Sequence, residues 1–181
     1  MTSRERMLTT LRRQTPDRVP RCEQCFWPET LTRWRQEGMP EDATPAQLFD
    51  LDGFGNVRLD NSLRLPEETL QEEAAWVLRR DADGVVYKHW THSYGPPAEV
   101  DTLVKTRVDW ERVRERLHPD PERISDAART AIANAASAGQ FCTVSPGEPV
   151  WWTLRTLGTE NALLVLASEP DLFVDMMRAQ A

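Results

Sequence analysis

The sequence predicts an α/β fold: part of a (β/α)8 TIM-type barrel, its N-terminal half, with an inserted β-hairpin. Residues 15–20 follow a short amphipathic helix and lead into an apolar stretch, as at the entrance to a barrel's first strand. About three segments suit a parallel sheet, which is too few to close eight strands. The 181 residues also fall short of the roughly 250 typical of a complete barrel. We therefore expect one domain, residues 1–181, with the hairpin insertion at about 69–100.

Capping residues and prolines predict the first helix and the first strand. Thr2 and Glu5 predict a capping box at the start of the first helix. Pro16 and Pro20 end that helix and favour extended backbone, which predicts a first strand over residues 19–27.

The next elements also have local signals. Pro28 opens a predicted helix, and Thr44 caps a short one that begins with a proline. Residues 53–61 predict a second strand, since Val57 and Leu59 alternate with polar neighbours. We expect this strand to lie beside the first.

The middle of the chain is predicted to stand outside the parallel sheet. Two extended runs, 75–79 and 85–91, flank Asp-Ala-Asp-Gly at 81–84, which is a strong hairpin signal. An irregular linker is expected to begin at Tyr94, and Asp109 is expected to cap the following helix.

The last third returns to an α/β pattern. A helix with a stripe of small apolar residues follows residue 121, and residues 141–144 predict a short buried strand. The turn at 145–147 leads into a helix near Pro149, and such turns lie on the catalytic face of α/β barrels.

Two further helices are predicted after this one. The first begins at Thr159, and the second is expected to be capped by Ser168 and Asp171. The second carries an apolar face that needs a packing partner, formed by Leu172, Phe173, Met176 and Met177.

Composition narrows the class of partner. The net charge is −7, with acidic and basic residues mixed along the chain, which argues against nucleic acid and anionic membranes. A small-molecule partner is expected instead. No apolar run reaches the ~18 residues that span a bilayer, and three cysteines fit a reducing compartment, so we expect a cytoplasmic protein.

The order of several segments resembles the N-terminal half of the uroporphyrinogen decarboxylase superfamily, which includes zinc-dependent, corrinoid-linked methyltransferases. The resemblance implies a (β/α) barrel about twice as long as this chain. The segments that carry it are SRERMLTTLRRQTPDRVP at 3–20, LVKTRVDWERVRERL at 103–117, SPGEPVWWTLRTLGTENALL at 145–164 and EPDLFVDMM at 169–177.

The resemblance also implies site residues. Decarboxylases of this family hold the pyrrole nitrogens with an aspartate at the end of the second strand, and Asp60 is similarly placed, so it is the candidate catalytic residue. Their Arg-Gln-Ala-Gly-Arg motif is replaced here by EQCFW at 23–27, in which Glu23 and Trp27 are the candidate substrate-binding residues. Their tyrosine aligns with Leu157. The loop therefore resembles the methyltransferase branch more closely.

The two tryptophans after the 145–147 turn are expected to have different roles. Trp151 is expected to line an apolar ligand pocket, and Trp152 to pack its helix on a sheet. Neither cysteine of the Cys22–Cys25 pair is expected to bind metal, because four ligands with suitable spacing are lacking; we expect both to pack as small hydrophobes.

The family's zinc ligands, a His-x-Cys pair and a distant cysteine, belong to its C-terminal half. We therefore expect no metal or cofactor in this chain, while the resemblance implies zinc and a corrinoid partner for the longer protein.

Two functions remain open. The chain is either the N-terminal portion of a superfamily enzyme, acting on a tetrapyrrole or in methyl transfer and inactive in isolation, or a non-catalytic half-barrel module. The second would bind or assemble and would cover its open edges by self-association as a homodimer.

Overall fold

The computed structural model describes residues 1–23, 25–92 and 95–181 and has a mixed α/β architecture. The helices are α1 (Ser3–Leu11), α2 (Pro28–Gln36), α3 (Pro45–Leu48), α4 (Arg107–Val113), α5 (Asp126–Ser137), α6 (Pro149–Leu157), α7 (Thr159–Ser168) and α8 (Pro170–Gln180). The strands are β1 (Phe54–Arg58), β2 (Glu68–Glu73), β3 (Trp76–Arg80), β4 (Val85–Trp90), β5 (Ala98–Thr102) and β6 (Phe141–Ser145). The predicted α/β class is confirmed. Both sheets formed by the described residues are open, so neither is a closed barrel.

The chain divides into two compact units. The parallel unit comprises residues 1–59 and 124–145, and the antiparallel unit comprises residues 60–123 and 146–181. In the parallel unit, β1 pairs with β6, with Phe54 opposite Phe141 and Arg58 opposite Ser145. The strands predicted over 53–61 and 141–144 are therefore present, joined in a two-stranded parallel sheet.

Gly55 lets helix α5 approach β1 closely. A Cβ placed on Gly55 would lie 2.7 Å from the Cβ of Ala135 and 3.1 Å from the Sγ of Cys142. Real Cβ atoms essentially never come this close, so even a methyl group would push the helix away from the strand.

Gly55→Ala is therefore expected to lower the free energy of unfolding by about 1 to 3 kcal/mol, the usual cost of overpacking. Urea unfolding followed by circular dichroism measures this change. Ala135→Gly in the same background removes the nearest clashing atom, so the double variant should lose less stability than the two single variants added together. Strictly additive losses would contradict the close approach.

The predicted first strand over 19–27 is wrong for residues 19–23 and 25–27, which form no strand; Gln24 lies outside the described residues. Just before this segment, an ion pair between the Arg18 guanidinium and the Asp52 carboxylate holds the chain. The N–H of Arg21 donates to Asp52 Oδ2, and the N–H of Asp52 donates to Arg21 O at 2.7 Å. The segment therefore meets the chain just before β1 without forming a ladder, and β1 pairs with β6 instead of a first strand.

The antiparallel unit contains the predicted hairpin within a larger sheet. Strands β2, β3, β4 and β5 follow one another in a four-stranded antiparallel order. In the β3–β4 turn, Asp81 Oδ1 accepts hydrogen bonds from the N–H groups of Asp83 and Val85, at 2.9 and 3.0 Å. Gly84 has φ +82°, which a residue with a Cβ adopts only with strain. Tyr94, at the predicted start of the linker, lies outside the described residues.

Two of the predicted helix caps are wrong. Thr106 caps α4 and Asp109 lies three residues later, where its carboxylate returns to the N–H of Thr106 in a capping box. Ser168 is the last residue of α7, and its hydroxyl donates to Leu164 O instead of capping the next helix. Helix α8 begins at Pro170 without a side-chain cap. The capping box predicted at Thr2 and the cap predicted at Thr44 are confirmed, and Thr44 also forms a capping box with Gln47.

The hydrophobic core of the antiparallel unit lies among its helices. It covers the apolar face predicted for α8, of which Leu172, Phe173 and Met176 are at most 4% exposed. Trp152 is buried there, so it packs mainly against other helices and not on a sheet as predicted. The other core residues are Leu63, Val104, Trp110, Leu157, Ala162 and Val165.

Candidate functional site

Asp60 lies two residues after the end of β1, and its carboxylate accepts hydrogen bonds from the residues that follow it in the loop. Oδ1 accepts from the N–H and the hydroxyl of Ser62, at 3.1 and 2.6 Å, and Oδ2 accepts from Arg64 Nε at 2.7 Å. The Asp60 side chain is 39% exposed. Aspartate is common in such turns because its side chain can bond to backbone two residues ahead.

Two further residues extend this arrangement into an Asp60 network, formed by Asp60, Ser62, Arg64, Asp120 and Arg123. The guanidinium of Arg64 also reaches Asp120 Oδ2 at 2.6 Å. Arg123 donates to the carbonyl oxygens of Asp60 and Ser62, at 2.6 and 3.0 Å. The loop that carries Asp60 is thereby fixed from two sides.

The surroundings of Asp60 keep it ionised. Partial burial raises its pKa, but the hydrogen bonds from Ser62 and Arg64 outweigh that effect, so the pKa of Asp60 lies below its ordinary value. At neutral pH the group is a fixed carboxylate. It can accept a hydrogen bond or hold a cationic group, and it is poorly suited to donate a proton.

The turn before α6 lies against the Asp60 loop within the antiparallel unit. Gly147 has φ +91°, and a Cβ placed there would lie 2.9 Å from Asn61 Nδ2 and 3.0 Å from Gln180 Nε2. Two side-chain amides therefore flank the backbone of this turn. Trp151, in the first turn of α6, is 59% exposed, as a side chain available to a ligand would be.

The other two predicted residues lie in the parallel unit. Glu23 is exposed, and Trp27 is 51% exposed immediately before α2. The neighbouring Phe26 packs against Trp34, with ring centroids 5.6 Å apart, so this segment is held by an aromatic contact. Neither unit alone gathers all four predicted residues, because Asp60 and Trp151 belong to the antiparallel unit.

The expectation that Cys22 and Cys25 pack as small hydrophobes is wrong, because both are exposed free thiols. The prolines and ion pairs around them hold the segment outside any sheet that would bury it. Among residues 1–23, 25–92 and 95–181, no group of three or more His, Cys, Asp or Glu side chains is arranged to hold a metal ion.

Sequence reasoning singled out Asp60 but not its partners Arg64, Asp120 and Arg123. The only local signal was the Asp-Asn-Ser turn pattern at 60–62, which predicts the bonds to Ser62. Arg64 and Asp120 lie 56 residues apart in the chain, so nothing in the sequence pairs them.

Comparison of the chain with known protein families, with characterised proteins and with solved structures found no match in any of the three. None of the described helices is both long and apolar enough to cross a bilayer.

Proposed function

We propose that this chain is the N-terminal portion of a uroporphyrinogen decarboxylase-like barrel enzyme that acts on a tetrapyrrole or in corrinoid-linked methyl transfer. The observation that carries the proposal is the ionised Asp60 carboxylate, fixed two residues beyond the carboxyl end of a parallel strand. Catalytic groups of α/β barrels lie at that end of the strands.

The bonds around Asp60 leave it able to bind a ligand. A carboxylate has about four positions that accept hydrogen bonds, and three here are taken by Ser62 and Arg64. The remaining position is available on a side chain that is 39% exposed. A pyrrole N–H is a donor of the required kind, and Trp151 offers an exposed ring for an apolar part of the ligand.

The parallel unit supports the barrel part of the proposal. Strand β1, helix α5 and strand β6 form the parallel strand–helix–strand arrangement from which such barrels are built. Within the described residues, each of the two strands has one unpaired edge. In the proposed enzyme, further strands would pair with both.

Ligand binding to Asp60 tests the site. Uroporphyrin and hydroxocobalamin are titrated separately into the chain while tryptophan fluorescence is followed. Asp60→Asn should weaken binding of the preferred ligand about tenfold, the value of one charge-assisted hydrogen bond of ~1.4 kcal/mol. Asp42→Asn, which replaces an exposed acid with no bond in the described structure, is the matched control.

The intact mass of the native protein tests the barrel part separately. We expect a mass well above that of these 181 residues, or a co-purifying companion chain. A native protein of these residues alone, together with equal ligand binding by the wild-type and Asp60→Asn chains, would overturn the proposal.

Exposed leucines favour the second candidate, a non-catalytic module that forms a homodimer. Helix α7 exposes Leu163, Leu164 and Leu166 by 57%, 63% and 46%. Apolar residues around much of a helix are typical of one that is covered by a partner. Light scattering tests this candidate. A dimer that binds neither uroporphyrin nor hydroxocobalamin supports it, whereas a monomer contradicts it.

A further inference from the structure

The antiparallel unit contains a second feature that the proposed function does not use, a cavity of about 470 Å³ between β5 and α7. Val85 and Leu157 lie behind its wall and have no exposed side-chain surface. Val100 and Leu164 also line it, and they are 55% and 63% exposed. Pockets that hold small molecules are typically of this size and mostly apolar.

The polar residues of this cavity carry an excess of negative charge. Glu99, Asp101 and Glu160 face a single cation among the lining residues, Lys105. Lys105 is already paired, since its Nζ lies 2.6 Å from Asp101 Oδ1. Two carboxylates therefore remain without a cationic partner among the residues that line the cavity.

The remaining bonds fix the shape of the cavity without neutralising these acids. Thr159 donates its hydroxyl to Glu99 Oε2 at 2.9 Å, which ties α7 to β5. Asn161 donates to Lys105 O at 2.9 Å and holds the loop after β5. The walls are therefore positioned by neutral donors, and neither bond brings a cationic group to Glu99 or Glu160.

We propose that this cavity binds a small organic cation, an amine with an alkyl or aryl body. The apolar body lies on the exposed faces of Val100 and Leu164. The ammonium group lies between Glu99 and Glu160, where charge-assisted hydrogen bonds are the strongest available. An anion of the same shape is repelled by the same carboxylates.

Three probes of matched shape test the proposal: 4-phenylbutylamine, 4-phenylbutanol and 4-phenylbutanoate, titrated into the whole chain by calorimetry and by amide chemical-shift mapping. The amine should bind at least tenfold more tightly than the alcohol, and the butanoate more weakly still. The shifts should lie on β5, the start of α7 and the end of α6.

Substitutions of the two glutamates test whether their carboxylates bind the ammonium group. Glu160→Gln and Glu99→Gln should each weaken binding of the amine several-fold, with little change for the alcohol. Glu72→Gln, an exposed acid on β2, is the matched control and should change nothing. Asp60→Asn should also leave amine binding unchanged, so failure here is distinguishable from failure of the proposed function.

Equal affinity for the three probes, or shifts that map away from the cavity, would overturn the inference. So would the absence of saturable binding of the amine at millimolar concentration. Because Glu99 and Glu160 are exposed, thermal unfolding of their variants should match that of the wild-type chain, which separates loss of binding from loss of fold.

Discussion

Replacing Asp83 with alanine should lower the free energy of unfolding by about 3 kcal/mol, because it leaves three donors without their acceptor. The residue is 4% exposed at the β3–β4 turn. Its carboxylate accepts from Leu63 N–H at 3.0 Å, Trp152 Nε1 at 3.1 Å and Arg155 at 2.5 Å. The loss is measured as a shift of the urea midpoint.

Glu111→Ala, at an exposed position of α4, is the control and should change stability by less than ~0.5 kcal/mol.

Burial raises the pKa of Asp83 in spite of Arg155, which shows that its charge is costly to bury. Asp83→Asn, which keeps an acceptor and removes the charge, should therefore lose less stability than Asp83→Ala.

A double variant separates the ion pair from the other bonds. Arg155→Met removes the guanidinium, so adding Asp83→Asn to it should cost less than Asp83→Asn alone. If the two losses simply add, the pairing of Asp83 with Arg155 does not contribute to stability.

Asp52→Asn should cost a similar amount, about 3 kcal/mol, in the parallel unit. The side chain of Asp52 is 1% exposed and pairs with Arg6 and with Arg18, the latter at 2.8 Å. Removing its charge leaves the buried Arg6 with Asp17 as its one remaining acidic partner among the described residues. Asp42→Asn, exposed and without such partners, is the control and should change little.

Because of these ion pairs, the free energy of unfolding should depend on pH. Burial raises the pKa of Asp52, but the Arg21 N–H and the side chains of Arg18 and Arg6 outweigh it and the net pKa is lowered. The hydrogen bond from Arg6 is the main reason that the pKa of Asp17 is lowered too. A carboxyl with a lower pKa in the folded state stabilises the fold above its unfolded pKa, about 3.9, and loses this contribution as pH falls.

Thermal unfolding of the wild-type chain should therefore shift to lower temperature between pH 5 and pH 3. Asp52→Asn lacks one of the responsible groups, so its midpoint should fall less over the same interval. Parallel curves for the two proteins would contradict the assignment of acid sensitivity to this ion-pair cluster.

Elements with strong local signals were predicted correctly from the sequence. The hairpin at 81–84 depends on Asp81 and Gly84, whose turn geometry needs no distant partner. The strand at β6 and the helix after Pro149 follow from apolar residues and a proline in the same way. Strand β2 was not predicted, because each of its residues is exposed and its sequence, ETLQEE, has few strand formers.

Long-range contacts account for the rest. The segment at 19–27 has the composition of a strand, yet Arg18 and Arg21 meet Asp52 more than 30 residues away. At the candidate site, Asp60 was a prediction from a resemblance that remains untested, whereas its bonds to Ser62 follow from turn chemistry. Its contacts with Arg123 join parts of the chain 63 residues apart, which no local pattern specifies.

The pairing of β1 with β6 also has a consequence for folding kinetics. The two strands are adjacent in the sheet but separated in sequence by the whole of β2 to β5. Closing a loop of that length costs entropy before any ladder bond is gained, whereas the β3–β4 turn closes within a few residues. The antiparallel hairpin should therefore form early during refolding, and the parallel ladder should be among the last structures to gain protection from hydrogen exchange.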